Sequence, residues 1–336
     1  MTEDTALRAP AAAPLPADAS APAGRSWLLS EPLAGLEAQG LGLAEAAGLT
    51  PERRPLHRRG YARWLTPALW PAPLRAVDPA ALAPPLPELL LGCGGAAAPI
   101  LARLRRRGVR TVQIQDPRID PVRFDLVIAN RHDRIAGPNV ITIRTALHRA
   151  TPSRRAAAAA AWSARLAPLP RPLVAVLVGG SNGRFRLDAP AAANLAADLV
   201  RLIVREGAGV ALTPSRRTDP AALALLRDAL APHAAAGRAW VWDGEGENPY
   251  FGLLGLADVL IPTVDSVSMI SEAVATSAPV LIAPLPGRSR RSDLFLGDLL
   301  ALGRVRRFAG RLETWAADPL DDTAEAAAEM RRRLGL

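Results

Sequence analysis

The stretch Val174-Ala-Val-Leu-Val-Gly-Gly-Ser-Asn-Gly183 decides how this chain is read. Its apolar, mostly β-branched run is bounded by Pro172 and by Gly179-Gly180, the pattern of a short strand buried in a parallel sheet. Glycine takes backbone angles closed to other residues, so successive amides in such a turn can point at one anion. Beyond the turn, Ala189 to Glu206 carries Leu195, Leu199, Leu202 and Ile203 at helical spacing, which supplies a helix N-terminus with its positive partial charge. Strand, glycine turn and helix in this order are how α/β proteins hold phosphate. The same turn also serves plain strand–helix packing.

Working outward, strand and helix signals alternate almost throughout. On the N-terminal side, strands are expected at Trp27 to Ser30, Leu89 to Cys93, Thr111 to Gln115, Leu126 to Ala129 and Val140 to Ile143. Helices are expected from about Gly35 to Ala47, from Ala97 to Arg107, and from Thr151-Pro152 to Leu166, where a hydroxyl cap precedes proline in the first turn. Residues 50–85, rich in proline, read as irregular. On the C-terminal side, further strands fall at Val210 to Thr213, Ala239 to Trp242, Val259 to Pro262 and Val280 to Ala283, with a last helix from about Thr323 to Leu334. The fold class that follows is α/β, two doubly wound parallel (Rossmann-like) sheets facing across a cleft. The domains read as a disordered Ala- and Pro-rich tail over 1–24, an N-terminal domain over 25–167, a C-terminal domain over 173–315, and a C-terminal helix over 316–336. The stiff connector holding Pro168, Pro170 and Pro172 marks the boundary.

Composition narrows the function. At 336 residues with 49% hydrophobic content, the chain can bury two cores. No run of about 18 uncharged apolar residues is present, which argues against a membrane span, and the N-terminus lacks the basic-then-apolar pattern of a secretion signal. A net charge of +9 raises nucleic acid as a partner, but the 41 basic residues are all arginine, spread along the chain, and aromatics make up only 4%. Nucleic-acid binders cluster their cations and interleave stacking rings, so that partner is set aside. One cysteine, Cys93, excludes a disulfide framework and a cysteine-based zinc site. The four histidines show no i, i+4 pair, so neither a metal nor a cofactor is expected. A reducing cytoplasm is the default location, and peripheral contact with a membrane surface stays open.

The polar clusters fall at strand ends, where open α/β sheets bind ligands. Pro214-Ser-Arg-Arg-Thr218 brings Ser215 together with Arg216 and Arg217, whose planar forks match a diphosphate. Thr263-Val-Asp-Ser-Val-Ser-Met-Ile-Ser-Glu-Ala273 reads as a strand end followed by a helix capped at Asp265 or Ser266. Ser268 and Glu272 stand four apart on one helix face, with Met269 beside them. Such an N-terminus takes phosphate, and a carboxylate further along accepts two bonds from a ribose diol.

These residues resemble a known family. A strand ending in Gly179-Gly-Ser181, followed by an Asp-Ser-x-Ser-x-x-x-Glu-Ala helix, is similar to the donor domain of GT-B glycosyltransferases. A closer resemblance is to the Elm-type mitochondrial fission family, carried by Val112-Gln-Ile-Gln-Asp-Pro-Arg118, Asn130-Arg-His-Asp133, Gly137-Pro-Asn139, Thr213-Pro-Ser-Arg-Arg-Thr218, Trp242-Asp-Gly-Glu-Gly-Glu-Asn-Pro-Tyr250 and Asp265-Ser-Val-Ser-Met-Ile-Ser-Glu272. The resemblance implies a GT-B-like fold with a nucleotide-sugar site in the C-terminal half. On that basis the expected ligand is a nucleoside diphosphate sugar, UDP-type favoured, gripped by Gly179, Gly180, Ser181 and Asn182, by Ser215, Arg216 and Arg217, and by the helix of Asp265, Ser266, Ser268, Met269 and Glu272.

One departure from the family falls on the other side of the cleft. Where the family shows an Asp-Gly-Lys-x-Gly-His-type loop, this chain has Glu31-Pro-Leu-Ala-Gly-Leu36. Glu31, Glu37 and His132 are the candidate bases for activating an acceptor hydroxyl. A glycosyltransferase-like enzyme is the leading expectation. A non-catalytic recruitment scaffold on the same fold is one alternative, and an epimerase acting on the nucleotide sugar is the other.

Overall fold

A computed structural model of the protein describes residues 25–336; the expectation for residues 1–24 lies outside them. The first domain runs through β1 (Ser26–Ser30), α1 (Ala34–Ala46), β2 (Glu52–Pro55), β3 (Leu89–Cys93), α2 (Ala97–Arg105), β4 (Arg110–Ile114), β5 (Leu126–Asn130) and β6 (Val140–Ile143). Its six strands pair in parallel in the order β2-β1-β3-β4-β5-β6. The second comprises α3 (Pro152–Leu166), β7 (Leu173–Val178), α4 (Ala189–Glu206), β8 (Gly209–Pro214), α5 (Pro220–Ala235), β9 (Ala239–Val241), α6 (Tyr250–Leu256), β10 (Val259–Pro262), α7 (Val267–Val274), β11 (Val280–Ile282), α8 (Arg290–Ala301) and β12 (Val305–Arg307). These strands form a second parallel sheet, β12-β11-β10-β7-β8-β9. A last helix, α9 (Asp322–Leu334), closes the chain.

The central strands are continuous apolar runs because both faces are covered. All residues of β3, β5 and β7 are buried, with Val174, Val176 and Val178 facing one core and Leu173, Ala175 and Leu177 the other. Each sheet reverses direction once, between β1 and β3 in the first and between β7 and β10 in the second. Such switch points open crevices beyond the carboxyl ends of their strands. The Glu31 loop, Gly94-Gly95, the Gly179 turn and Thr263-Val-Asp265 therefore all sit at crevice mouths.

Two features correct the expected organisation. Residues 52–55 are not irregular: β2 pairs with β1 as an edge strand. The helix α3 also does not complete the first domain. Trp162 and Leu166 pack with Leu253 and Leu254 in a core of the second sheet. The close approach is allowed by glycine, since a Cβ at Gly252 would lie 2.8 Å from the Trp162 ring and one at Gly255 would lie 2.8 Å from the Arg155 carbonyl oxygen. The chain thus changes domain before α3, not at the Pro168–Pro172 connector. It returns at its end, where Ala326, Ala327 and Met330 of α9 join Leu43, Ala44 and Leu91 in a core of the first domain.

Candidate functional site

The glycine turn is built inward. The Gly179 amide donates to Thr263 Oγ1 at 2.8 Å, and the Gly180 amide donates to Asp265 Oδ2 at 3.0 Å. Thr263 Oγ1 in turn donates to Asp265 Oδ1 at 2.6 Å, and Arg217 Nη2 lies 3.0 Å from Asp265 Oδ2. The Asp265 side chain is fully buried under this set of donors. A Cβ at Gly179 would fall 2.3 Å from the Asp265 carboxylate, and one at Gly180 would fall 2.0 Å from the Arg217 carbonyl oxygen. The two glycines are thus required for close packing, and their amides are already satisfied by protein groups. That corrects the expectation that these amides aim at an anion: they fasten β7 to the loop that starts α7.

The rest of the turn is equally internal. Ser181 Oγ accepts from the Leu187 amide at 3.0 Å, and Asn182 Oδ1 accepts from the Arg184 and Phe185 amides, each at 2.9 Å. Ser215 and Thr218 tie the β8 loop back through Thr218 Oγ1, which donates to the Val178 carbonyl at 3.1 Å. Arg217 is committed to Asp265. Arg216 is exposed and, among the described residues, has no hydrogen bond or ion pair.

What this framework holds in place is the start of α7. Ser266 caps it, its Oγ accepting from the Met269 amide at 3.3 Å. Val267, Ser268 and Met269 are partly exposed in the first turn. Directly opposite stands the start of α1, which has no side-chain cap of its own, and a Cβ at Gly35 would lie 3.7 Å from Ser268 Oγ. Two helix N-termini from different domains therefore face each other, and their partial positive charges share one crevice. Arg216 borders a neighbouring cavity of about 470 Å³ together with Ser30, Pro32, Glu37 and His57.

Glu272 lies one turn beyond Ser268 on α7, and its carboxylate accepts a bond from the Tyr250 hydroxyl at the start of α6. Burial pushes the Glu272 carboxyl up to about 7, with the tyrosine bond pulling the other way. Tyr250 is a part of this site that the sequence reading did not use, although it ends the quoted Trp242–Tyr250 motif.

The base candidates are all engaged. Arg58 grips Glu31 through two bonds, Nε to Oε1 at 2.7 Å and Nη2 to Oε2 at 3.0 Å. Glu37 pairs with Arg53. His132 is packed edge-on to Phe295 of the other domain, ring centroids 6.3 Å apart. Its neighbour Asp133 pairs with Arg291 of α8. Burial lowers the His132 pKa, with Asp133 opposing the shift. These two residues form a seam between domains. No group of three or more His, Cys, Asp or Glu among the described residues could hold a metal.

Two Rossmann-like parallel-sheet domains with their switch points opposed define a GT-B fold. Solved structures with that architecture include Medicago truncatula UGT71G1 complexed with UDP-glucose, 12% identical, covering 92% of this chain and 93% of that one with a TM-score of 0.56. Another is the UDP-GlcNAc 2-epimerase from Methanocaldococcus jannaschii, 11% identical, covering 93% and 99% with a TM-score of 0.54. Within this fold class, the family model described as Mitochondrial fission ELM1 matches residues 34–334. The Arabidopsis thaliana mitochondrial fission protein ELM1 is 32% identical over 277 residues, covering 74% of this chain and 64% of the plant protein. The chain belongs to the mitochondrial fission ELM1 family, and it spans about two thirds of that plant relative.

Proposed function

We infer that this protein binds a nucleoside diphosphate sugar of the UDP type between its two domains, as a glycosyltransferase-like member of its family. The observation that carries this reading is the pair of helix N-termini, α1 and α7, meeting at Gly35 and Ser268. Anions are favoured there by unpaired amides and aligned dipoles. The diphosphate rests on Ser266, Ser268 and Met269 at the start of α7, with Arg216 free to close over it and Arg217 adding charge from behind Asp265. Glu272 accepts the ribose hydroxyls, held in aim by Tyr250. Gly179, Gly180, Ser181 and Asn182 act as the support that fixes α7. That UGT71G1 is complexed with UDP-glucose, and that the archaeal neighbour is named for UDP-GlcNAc, supports the ligand class.

A second reading, a non-catalytic binder that recruits a partner, is favoured by one specific observation. Both Glu31 and Glu37 are tied up in ion pairs with arginines, so neither carboxylate is free to reach an acceptor hydroxyl.

A thermal-shift panel of UDP, UDP-glucose, UDP-GlcNAc, ADP and GDP tests the binding proposal. Stabilisation by the uridine compounds is expected, and Glu272→Ala abolishes it. The absence of any shift with every nucleotide overturns the assignment. Incubating radiolabelled donor with a membrane extract then separates transfer, which gives a labelled acceptor, from binding alone.

A further inference from the structure

The net charge is not spread evenly over the fold. At the C-terminal end of α2 two shallow cavities, of about 500 Å³ and about 390 Å³, adjoin through Arg106, which lines both. Arg75, Arg103, Arg107 and Arg123 also line them and, like Arg106, are exposed. The guanidinium groups of these five make no hydrogen bond or ion pair among the described residues. Arg105 and Arg110 complete the rim of the larger cavity, where the sole acidic side chain in either lining is Asp125. Asp125 is already occupied by Arg105 Nε at 2.9 Å and by the Thr111 amide at 2.8 Å.

The wall of the smaller cavity is the segment 71–75, and it is continuous with an apolar edge. Tyr61 ties the turn before it to Ala72, donating to the Ala72 carbonyl at 2.8 Å. That arrangement leaves Trp64 89% and Leu69 68% exposed. Val122, in the lining of the larger cavity, is 65% exposed. A chain in water gains nothing from exposing such side chains next to unpaired cations: Val122 lies in the larger arginine-lined cavity itself, and Leu69 stands two residues before Pro71 in the wall of the smaller. An interface with acidic headgroups outside and acyl chains beneath satisfies both, with tryptophan at the headgroup level and arginines on the phosphates.

We propose that the α2 end of the first domain, with the 61–75 segment beside it, docks on an acidic phospholipid surface. The arginine-lined end of α2 is the end of that helix remote from Gly94-Gly95 at the crevice mouth, and docking there does not depend on what the crevice binds. Charge alone would also suit a nucleic acid, but neither arginine-lined cavity has an aromatic side chain in its lining, so no stacking series is present there.

Co-flotation of the full chain with vesicles of phosphatidylcholine, with and without phosphatidylglycerol, tests the proposal. Binding is expected only with the acidic lipid and is lost at high salt, since the attraction acts within a Debye length. The triple variant Arg103→Gln, Arg106→Gln, Arg107→Gln weakens binding about 100-fold. The pair Arg75→Gln, Arg123→Gln acts in the same direction from the opposite walls, and Trp64→Ser weakens binding without changing its salt dependence. Wild-type melting temperatures for these exposed substitutions show that folding is intact. Equal binding to neutral and acidic vesicles, or no loss in either arginine set, overturns the proposal. Tighter binding to an RNA or DNA oligonucleotide than to acidic vesicles overturns it in favour of a nucleic-acid surface.

Discussion

On the proposed reading, Glu272 is one side chain through which stability and ligand binding are linked by pH. Its carboxyl is shifted up to about 7 by burial beside the Tyr250 hydroxyl. In the unfolded chain it titrates near the ordinary carboxylate value, so between those two pH values the folded state binds the extra proton. Stability from this group is therefore fully present at low pH and declines as pH rises toward 7, by about 2 kcal/mol after allowing for partial exposure. Ribose hydroxyls that donate to the carboxylate favour the ionised form, so nucleotide affinity should move the opposite way and rise through pH 7. Calorimetric titration of UDP across that range should show the rise, and Glu272→Gln should flatten it; an unchanged profile in the variant removes Glu272 from the ribose. The glycine turn teaches a related lesson. Its sequence announces an anion cradle, yet Thr263 and Asp265 take the Gly179 and Gly180 amides. The sign was present in Thr263-Val-Asp265, since a buried acid needs donors and those amides are the ones within reach. No rule of spacing pairs a backbone amide with a side chain 84 residues away.

Among elements, those buried on both sides were legible because a parallel strand must be apolar along its whole length. That is how β3, β5, β7 and β10 follow from Leu89–Cys93, Leu126–Ala129, Val174–Val178 and Val259–Pro262. The edges were not. β2 reads Glu-Arg-Arg-Pro and β12 reads Val-Arg-Arg, so neither has the apolar run, and charged edges resist pairing with another chain. α3 was assigned to the wrong side because its domain is decided by Trp162 against Gly252, a contact the helix pattern does not contain. Glycine in α1 carries a prediction of the same kind. At an open helical position Gly→Ala gains about 1 kcal/mol from propensity. At Gly42 a Cβ would lie 2.2 Å from the His148 carbonyl oxygen, in the segment that crosses to the second domain. Gly42→Ala should therefore destabilise by about 2 kcal/mol or more, since backbone on both sides must shift; a variant more stable than wild type in urea denaturation contradicts this packing.

The chain passes between its domains twice, and one carboxylate fastens both passages. Asp322, at the start of α9, accepts from the Arg144 and Thr145 amides and from the Arg144 guanidinium just after β6. Losing it leaves buried donors unpaired, so Asp322→Ala should cost about 3 kcal/mol in chemical denaturation. Beyond that clasp, Met330 is fully buried in the core that holds Leu43, Ala44 and Leu91, although it stands six residues from the chain end. Had the C-terminal helix packed on the sheet that precedes it in the chain, Met330→Ala would weaken the second domain. The observed packing assigns the loss to the first domain, about 3 kcal/mol for the transfer and cavity terms together. At about 2–4 °C per kcal/mol for domains of this size, the first-domain transition should fall by about 6–12 °C in differential scanning calorimetry. Because α7 and Glu272 belong to the second domain, UDP should still raise the second-domain transition in this variant, while its rise in the first should shrink with the weakened docking of α9 on α1. A Met330→Ala protein in which only the second-domain transition moves would place α9 with the wrong sheet, and with it the clasp that sets how α1 faces α7.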